Sequence, residues 1–155
     1  MLTPYSRCLI LAFATLATHA PAAVPSGFPL GTWISDEASS RSMGAKAQVL
    51  RITADDGRSL SFSLQETGSD GTTRVLKWSG VYGDAPHLIE GSAITFAVNH
   101  GPNGSILICG HRPEGIRFEE VCRVDPGRRR FRCDGTQWQS DGKQSTYVEI
   151  FNLQR

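Results

Sequence analysis

The chain reads Ser59-Leu60-Ser61-Phe62-Ser63-Leu64 in its first half, a strict alternation of polar and apolar residues. The run Ala93-Ile94-Thr95-Phe96-Ala97-Val98 has the same period of two. Successive side chains of a β-strand point to opposite faces, so this period predicts strands with one face on a core and the other in water. By the same spacing we expect Leu50, Ile52 and Ala54 to share one face of a further strand.

Short turn sequences separate these strands, with all but one of the intervals about 10–15 residues long. Each combines a residue that favours turn dihedrals with a glycine that is free to adopt positive φ. This regular succession of strands and turns predicts an all-β domain of about nine or ten strands. The strands would form an antiparallel meander that closes into a barrel or folds into a sandwich. The turn sequences are residues 54–57, 68–71, 101–104, 112–115, 125–127 and 140–142.

The composition is that of one ordinary globular domain. The chain has 155 residues, 39% of them hydrophobic and 20% charged, which argues against disorder and against a second domain. Its net charge of +1 gives no bias towards nucleic acid, so we expect no nucleic-acid partner. The best helix candidate, residues 36–47, is rich in serine and interrupted by Gly44, so we expect one or two helical turns there at most.

Residues 1–22 have the features of a secretory signal peptide. Arg7 supplies a positive charge, residues 8–16 form a short apolar run, and Ala20-Pro21-Ala22 offers a small-x-small cleavage pattern. The run is shorter than the roughly 20 apolar residues that cross a bilayer, and we expect no transmembrane segment. The sequence therefore predicts export to the periplasm or the medium, with residues 23–155 as a single mature domain.

Several short motifs resemble those of lipocalin-like, calycin-type β-barrels. Gly31-Thr32-Trp33 is similar to the Gly-x-Trp that opens the first strand of such barrels. Gly80-Val81-Tyr82, residues 87–91, Asp141-Gly142-Lys143 and residues 147–153 follow in the order found in a family of uncharacterised bacterial exported proteins. The resemblance implies an antiparallel, up-and-down, lipocalin-like barrel for residues 23–155. It implies no catalytic residues, because none is established in that family.

The mature domain retains three cysteines, Cys109, Cys122 and Cys133. The loop at residues 125–128 has an even length whether it holds two or four residues, so Cys122 and Cys133 share a face of adjacent strands. Export would allow a disulfide between them, and two buried thiols are the alternative. A three-residue loop at 113–115 puts Cys109 on the outer face, and another register would align all three cysteines. Because no Cys-x-x-Cys is present, we expect no metal site.

The inner face of the predicted barrel carries large aromatic side chains and a few polar ones. A small barrel of this kind is either filled by its own side chains or holds one small ligand. Strand parity puts Glu120 on this face, where a carboxylate needs a partner or solvent. Glu120 either orients a ligand together with Gln137 or lies at a mouth in contact with water. The residues that we expect to contact a ligand are Phe62, Trp78, Tyr82, Phe96, Phe118, Glu120 and Gln137.

A basic run at residues 127–132 forms the end of one hairpin. We expect Arg130 and Arg132 to point outwards, with Arg123 opposite them on the neighbouring strand. Such a cluster either binds an anionic surface or an acidic partner, or is a solvated hairpin that discourages edge aggregation. The candidate patch consists of Arg123, Arg128, Arg129, Arg130 and Arg132.

The common enzyme signatures, such as a Gly-x-Ser-x-Gly elbow or a Walker loop, do not occur in the sequence. We therefore expect a non-catalytic protein without a cofactor, which binds a small apolar or amphipathic ligand in its barrel. One alternative is a protein-binding module, such as an envelope partner or a hydrolase inhibitor, that acts through its loops or the Arg-rich hairpin. A barrel enzyme of unknown type is the other alternative.

Overall fold

The computed structural model describes residues 27–41 and 45–154, and the predicted signal peptide lies outside them. Ten β-strands account for most of the described chain. They are β1 (Gly31–Ser35), β2 (Ala45–Asp55), β3 (Ser59–Gly68), β4 (Thr73–Val81), β5 (His87–Leu88), β6 (Thr95–His100), β7 (Ile106–His111), β8 (Arg117–Val124), β9 (Arg130–Trp138) and β10 (Gln144–Leu153).

The strands form one antiparallel sheet that curls into a nearly closed barrel. Strands adjacent in the sequence pair with each other, apart from β4 and β5, and β1 also pairs with β10. The gap in the barrel therefore lies between β4 and β5. Reciprocal backbone hydrogen bonds between Lys77 and Glu90, of 2.9 and 3.1 Å, bridge it. This architecture confirms the predicted all-β, up-and-down barrel and its strand number.

No α-helix occurs in residues 27–41 and 45–154. In the same residues, no helix has the length and apolar character to cross a membrane. The expected helical turns at 36–47 are wrong at the end of that range, because Ala45 and Ala47 already pair with β3. At its start the backbone does make one turn, in which the Ser40 amide donates to the Asp36 carbonyl at 2.8 Å.

Aromatic side chains fill the end of the barrel at which β8 leads into β9, which we call the closed end. Trp33, from the Gly-Thr-Trp motif, is fully buried, and its ring lies edge-on to Phe131 at 4.9 Å. Phe131 also contacts Phe28 and Phe151, with ring centroids 5.0 and 4.8 Å away. The Trp33 indole donates to the Pro29 carbonyl at 3.0 Å. These contacts hold the segment before β1 across the closed end.

A β-bulge in β2 changes which of its residues face the core. Ile52 pairs with Phe62 but Ala54 pairs with Ser61, so the strand accommodates an extra residue between them. The prediction that Ala54 shares the inward face with Ile52 is therefore wrong, and Ala54 is exposed. The bulge turns Asp55 inward in its place.

The β8–β9 hairpin places Cys122 directly opposite Cys133, and a disulfide joins the two. The loop has the longer of the two lengths considered, since the Asp125 amide donates to the Arg130 carbonyl at 2.8 Å across four intervening residues. The disulfide links two neighbouring strands on the inner face of the barrel.

The β7–β8 hairpin keeps the third cysteine away from this disulfide. Its loop is the predicted three residues long, because the Arg112 amide donates to the Ile116 carbonyl at 2.8 Å. Cys109 is buried, and it lies on the face opposite to its neighbour Ile108, which lines the barrel interior. The register that would align all three cysteines is not the one adopted.

Candidate ligand-binding site

The barrel encloses a cavity of about 130 Å³ whose wall is mostly apolar. A dry cavity of roughly 150 Å³ accepts benzene, so this volume suits a small ring or a short chain. The apolar part of the wall comprises Phe28, Leu50, Ile52, Leu60, Phe62, Leu64, Leu76, Ile89, Ile94, Phe96, Ile108, Phe118, Phe131, Cys133 and Phe151. The polar part comprises Gln48, Glu66, Arg112, Glu120 and Glu149.

The predicted ligand-contacting residues divide into two groups in the structure. The four that line the cavity are Phe62, Phe96, Phe118 and Glu120. The three that do not are Trp78, Tyr82 and Gln137, although all three lie on the inner side of the sheet. The alternation of side chains along the strands therefore predicts the correct face of the sheet. It does not show which inward side chains line the cavity and which pack against one another.

Trp78 stands behind the cavity wall and supports it. Its ring stacks on Phe62 at 5.9 Å and meets Phe96 edge-on at 5.0 Å. On its other side it stacks on His87 at 4.9 Å. The indole also covers Gly80, where an added Cβ would come within 2.5 Å of it. The space that a small residue leaves at this position is thus filled by Trp78.

Tyr82 belongs to the closed end instead of the cavity. Its hydroxyl donates to the Asp55 carboxylate at 2.8 Å, and its ring stacks on His100 at 4.1 Å. The same carboxylate accepts the Phe28 amide at 2.8 Å. Burial and the hydrogen bond to Asp55 raise the pKa of Tyr82, so its hydroxyl stays a donor at alkaline as well as at neutral pH. Asp55 thereby fastens the segment before β1 to the end of β4.

Polar side chains gather at the opposite end of the cavity, and we call this group the polar cluster. It consists of Gln48, Glu66, Arg112, Glu120, Tyr147 and Glu149. Gln48 is buried, and its amide nitrogen donates to Glu66 at 3.3 Å and to Glu149 at 3.4 Å. Of these six residues, Glu120 alone is predicted from the sequence.

One row of residues across three strands builds the centre of the polar cluster. Tyr147 on β10 pairs with Gly135 on β9, which pairs with Glu120 on β8. The Tyr147 ring lies over Gly135, where an added Cβ would come within 2.3 Å of it. Its hydroxyl thus reaches the far strand and donates to the Glu120 carboxylate at 2.6 Å. Any larger residue than glycine at position 135 would displace this ring.

The two inner carboxyl groups are shifted towards their neutral forms. Burial raises the pKa of Glu149 to about 8, and the neighbouring Glu120 charge adds to the effect. Burial also raises the pKa of Glu120, although the hydrogen bond from Tyr147 and the charge of Arg112 oppose the shift. Two carboxyl groups with one nearby cation therefore hold at least part of a proton near neutral pH.

One polar atom of this cluster and two on neighbouring residues are buried without a hydrogen-bond partner among the described residues. They are Arg112 Nε, Gln137 Oε1 and Ser145 Oγ. Gln137 is 3% exposed and pairs with Ser145 on one side and with Phe118 on the other. The Arg112 guanidinium lies 5.7 Å from the centre of the Phe118 ring. Buried polar atoms are seldom left unsatisfied, so these atoms indicate a place for a further polar group.

The disulfide lies next to the polar cluster. The Cys122 and Cys133 sulfurs and a Glu120 carboxylate oxygen lie within 4.8 Å of one another. Because the sulfurs are bonded to each other, they are unavailable as thiolate ligands. Cys133 contributes apolar surface to the cavity wall.

Aspartates balance much of the charge of the predicted arginine patch. Arg123 and Arg132 face each other across β8 and β9, and both pair with Asp134, at 3.6 and 2.6 Å. Arg130 pairs with Asp36 at 3.5 Å.

The two arginines at the hairpin tip take part in the hairpin's own structure. The Arg129 amide donates to the Asp125 carboxylate at 2.7 Å. The Arg128 guanidinium donates to the Gly27 carbonyl at 3.2 Å. These contacts hold the hairpin tip in place, and binding of an anionic surface or a partner by the patch stays a prediction.

The fold and the cavity define a small, nearly closed antiparallel β-barrel, and the chain is similar to three solved structures. A point mutant of the fluorescent protein UnaG has a TM-score of 0.53 at 12% identity, over 81% of this chain and 96% of that one. Wild-type UnaG has a TM-score of 0.50 with the same identity and coverage. A de novo designed fluorescence-activating β-barrel has a TM-score of 0.46 at 14% identity, over 85% of this chain and 100% of that one.

No protein-family profile and no curated protein sequence matches the chain. At 12% identity the likeness to UnaG establishes the fold alone. The resemblance to the family of uncharacterised bacterial exported proteins stays a prediction.

Proposed function

We propose that this barrel binds a small, mostly apolar molecule in its lumen and catalyses no reaction on it. The observation that carries the proposal is the cavity itself, an apolar space of about 130 Å³ with polar groups gathered at one end. Ligand sites are typically concave and mostly apolar, with a few polar groups that fix orientation. Burial of a ring against Phe62, Phe96 and Phe118 would supply the affinity, at about 25 cal/mol per Å² of apolar surface removed from water.

Titration with toluene, followed by amide chemical shifts in NMR spectra, tests lumen binding. We expect saturable shifts at Phe62 and Phe96 in the unmodified protein. Leu64→Trp would fill part of the cavity and should abolish the shifts. Val75→Trp is the matched control, because Val75 on the neighbouring strand is 50% exposed on the outer face, and this variant should bind like the unmodified protein. Absence of saturable shifts in the unmodified protein would refute the proposal.

We also propose that the protein is exported and that residues 1–22 are removed. The signal-like composition of this segment and the Cys122–Cys133 disulfide support this proposal, because disulfides persist mainly in oxidising compartments. Mass spectrometry after expression in an exporting bacterial host tests it. We expect the mass of a chain that begins at Ala23, with two hydrogens fewer than the reduced form. Full-length protein in the cytoplasm would contradict it.

A further inference from the structure

We propose that the ligand of this barrel carries a cationic ammonium group, which binds in the polar cluster between Glu120 and Glu149. This inference rests on the proposed lumen binding and names the chemistry of the ligand's polar end. It depends on the charges of the side chains that line the cavity.

The charges that face the cavity are predominantly negative. Glu66 on β3, Glu120 on β8 and Glu149 on β10 are acidic, whereas Arg112, which follows β7, is the one basic side chain among the described lining residues. Glu66 already has a cation, since Arg74 pairs with it at 2.6 Å. Arg112 can balance one of the two remaining carboxylates. The site therefore lacks one positive charge when Glu120 and Glu149 are both ionised.

A buried acceptor without a donor lies on the strand next to Glu120, although it is not part of the cavity wall. Gln137 is 3% exposed, and its Oε1 atom accepts no hydrogen bond among the described residues. It lies on the inner face of β9, two residues from Gly135, which is paired directly with Glu120. An ammonium group has three N–H donors, so it can serve both carboxylates that line the cavity, Glu120 and Glu149.

Binding of such a cation should release a proton from the polar cluster. The groups that face Glu149 are Gln48, Glu66, Arg112, Glu120 and Tyr147. Without a ligand, burial keeps the Glu120–Glu149 pair partly protonated near neutral pH. An ammonium ion favours the doubly ionised pair, so its affinity should rise as the pH rises from about 6 to about 8.5.

Calorimetric titration of the mature protein with benzylamine, benzyl alcohol and benzoate at about pH 7 tests the proposal. The three probes share a ring and differ in the charge of the polar group. We expect benzylamine to bind at least about tenfold more tightly than benzyl alcohol, in line with a charge-assisted hydrogen bond. Repetition in buffers of different ionisation enthalpy should show proton release with benzylamine and none with benzyl alcohol.

Two variants assign this preference to the polar cluster. Glu149→Gln should remove most of the benzylamine preference and change the affinity for benzyl alcohol less than about twofold. Glu119→Gln is the matched control, because Glu119 lies on the outer face of β8 and pairs with the exposed Arg117. It should leave the affinities for all three probes unchanged. Where Glu149→Gln fails to fold, the proton-release measurement on the unmodified protein decides.

The other outcomes separate this inference from the proposed function. Tightest binding of benzoate would overturn the inference and indicate that Arg112 recognises an anion. Equal binding of benzylamine and benzyl alcohol, or binding of toluene alone, would also overturn it while lumen binding stands. Failure of toluene and of all three probes to bind would refute both proposals.

Discussion

Glu149 couples the stability of the barrel to pH. Its pKa is near 4.5 in the unfolded chain and about 8 in the folded protein. Between these values the folded state binds more protons than the unfolded state, so the free energy of unfolding falls as pH rises. This contribution is fully present below the unfolded pKa and is lost as pH rises through the folded pKa.

We therefore predict that Glu149→Gln stabilises the protein at alkaline pH. The glutamine has no charge to bury, so the variant should exceed the unmodified protein by on the order of 2 kcal/mol at about pH 9 and differ little at about pH 5. Urea denaturation at both pH values measures the difference, with Glu119→Gln as the exposed control. The same pH dependence in Glu149→Gln and the unmodified protein would show that another group is responsible.

At the scale of elements, the alternation of side chains along a strand predicts which face of the sheet each residue occupies. This works where the hairpin loops are short and of known length. The alternation at residues 59–64 predicts strand β3, and the even loop after β8 predicts that Cys122 and Cys133 share a face. The alternation gives the wrong inward face at the end of β2, because a bulge inserts an extra residue there. The pattern of side chains in the sequence gives no sign of this bulge. The contact of Asp55 with Tyr82, which depends on that bulge, could not be predicted.

The residues of the candidate site also divide into those that the sequence predicts and those that it does not. The sequence predicts that Glu120 faces inward, because it indicates the lengths of the hairpin loops on both sides of β8. The face of Glu149 could not be predicted, since both faces of β10 are apolar: Val148 and Ile150 are buried like Tyr147 and Phe151. When the pairing of β9 with β10 is counted from the turn at residues 140–142, Tyr147 lies opposite Gly135. A glycine opposite an aromatic residue was therefore a usable signal for the polar cluster.

At the scale of the molecule, the barrel is continuous except at one place. β9 and β10 pair along nine positions, from Gln144 with Trp138 to Asn152 with Arg130. By contrast, β5 has two residues, both of them exposed, and it pairs with β6 alone. Across the gap, β4 meets the segment after β5 through one reciprocal pair of backbone hydrogen bonds, supported by the stacking of Trp78 on His87 and by a hydrogen bond of 3.0 Å between His87 Nε2 and the Ser79 carbonyl. Beyond the end of β4, the Gly83 amide also donates to the Val98 carbonyl of β6 at 2.9 Å.

This difference predicts that the barrel opens first between β4 and β5. Local opening there breaks few hydrogen bonds and exposes little apolar surface, whereas opening at β9 and β10 requires most of the barrel to unfold. We expect the amides of Lys77, Leu88 and Glu90 to exchange at least about 100-fold faster than those of Tyr147 and Phe151, which face β9 in the ladder, measured by native-state hydrogen exchange in NMR spectra. Equal protection at both places would mean that the gap is as firmly held as the paired strands. Slower exchange at the gap when toluene is present would further indicate that lumen occupancy stabilises the closed barrel, since a ligand that binds only the closed form opposes opening.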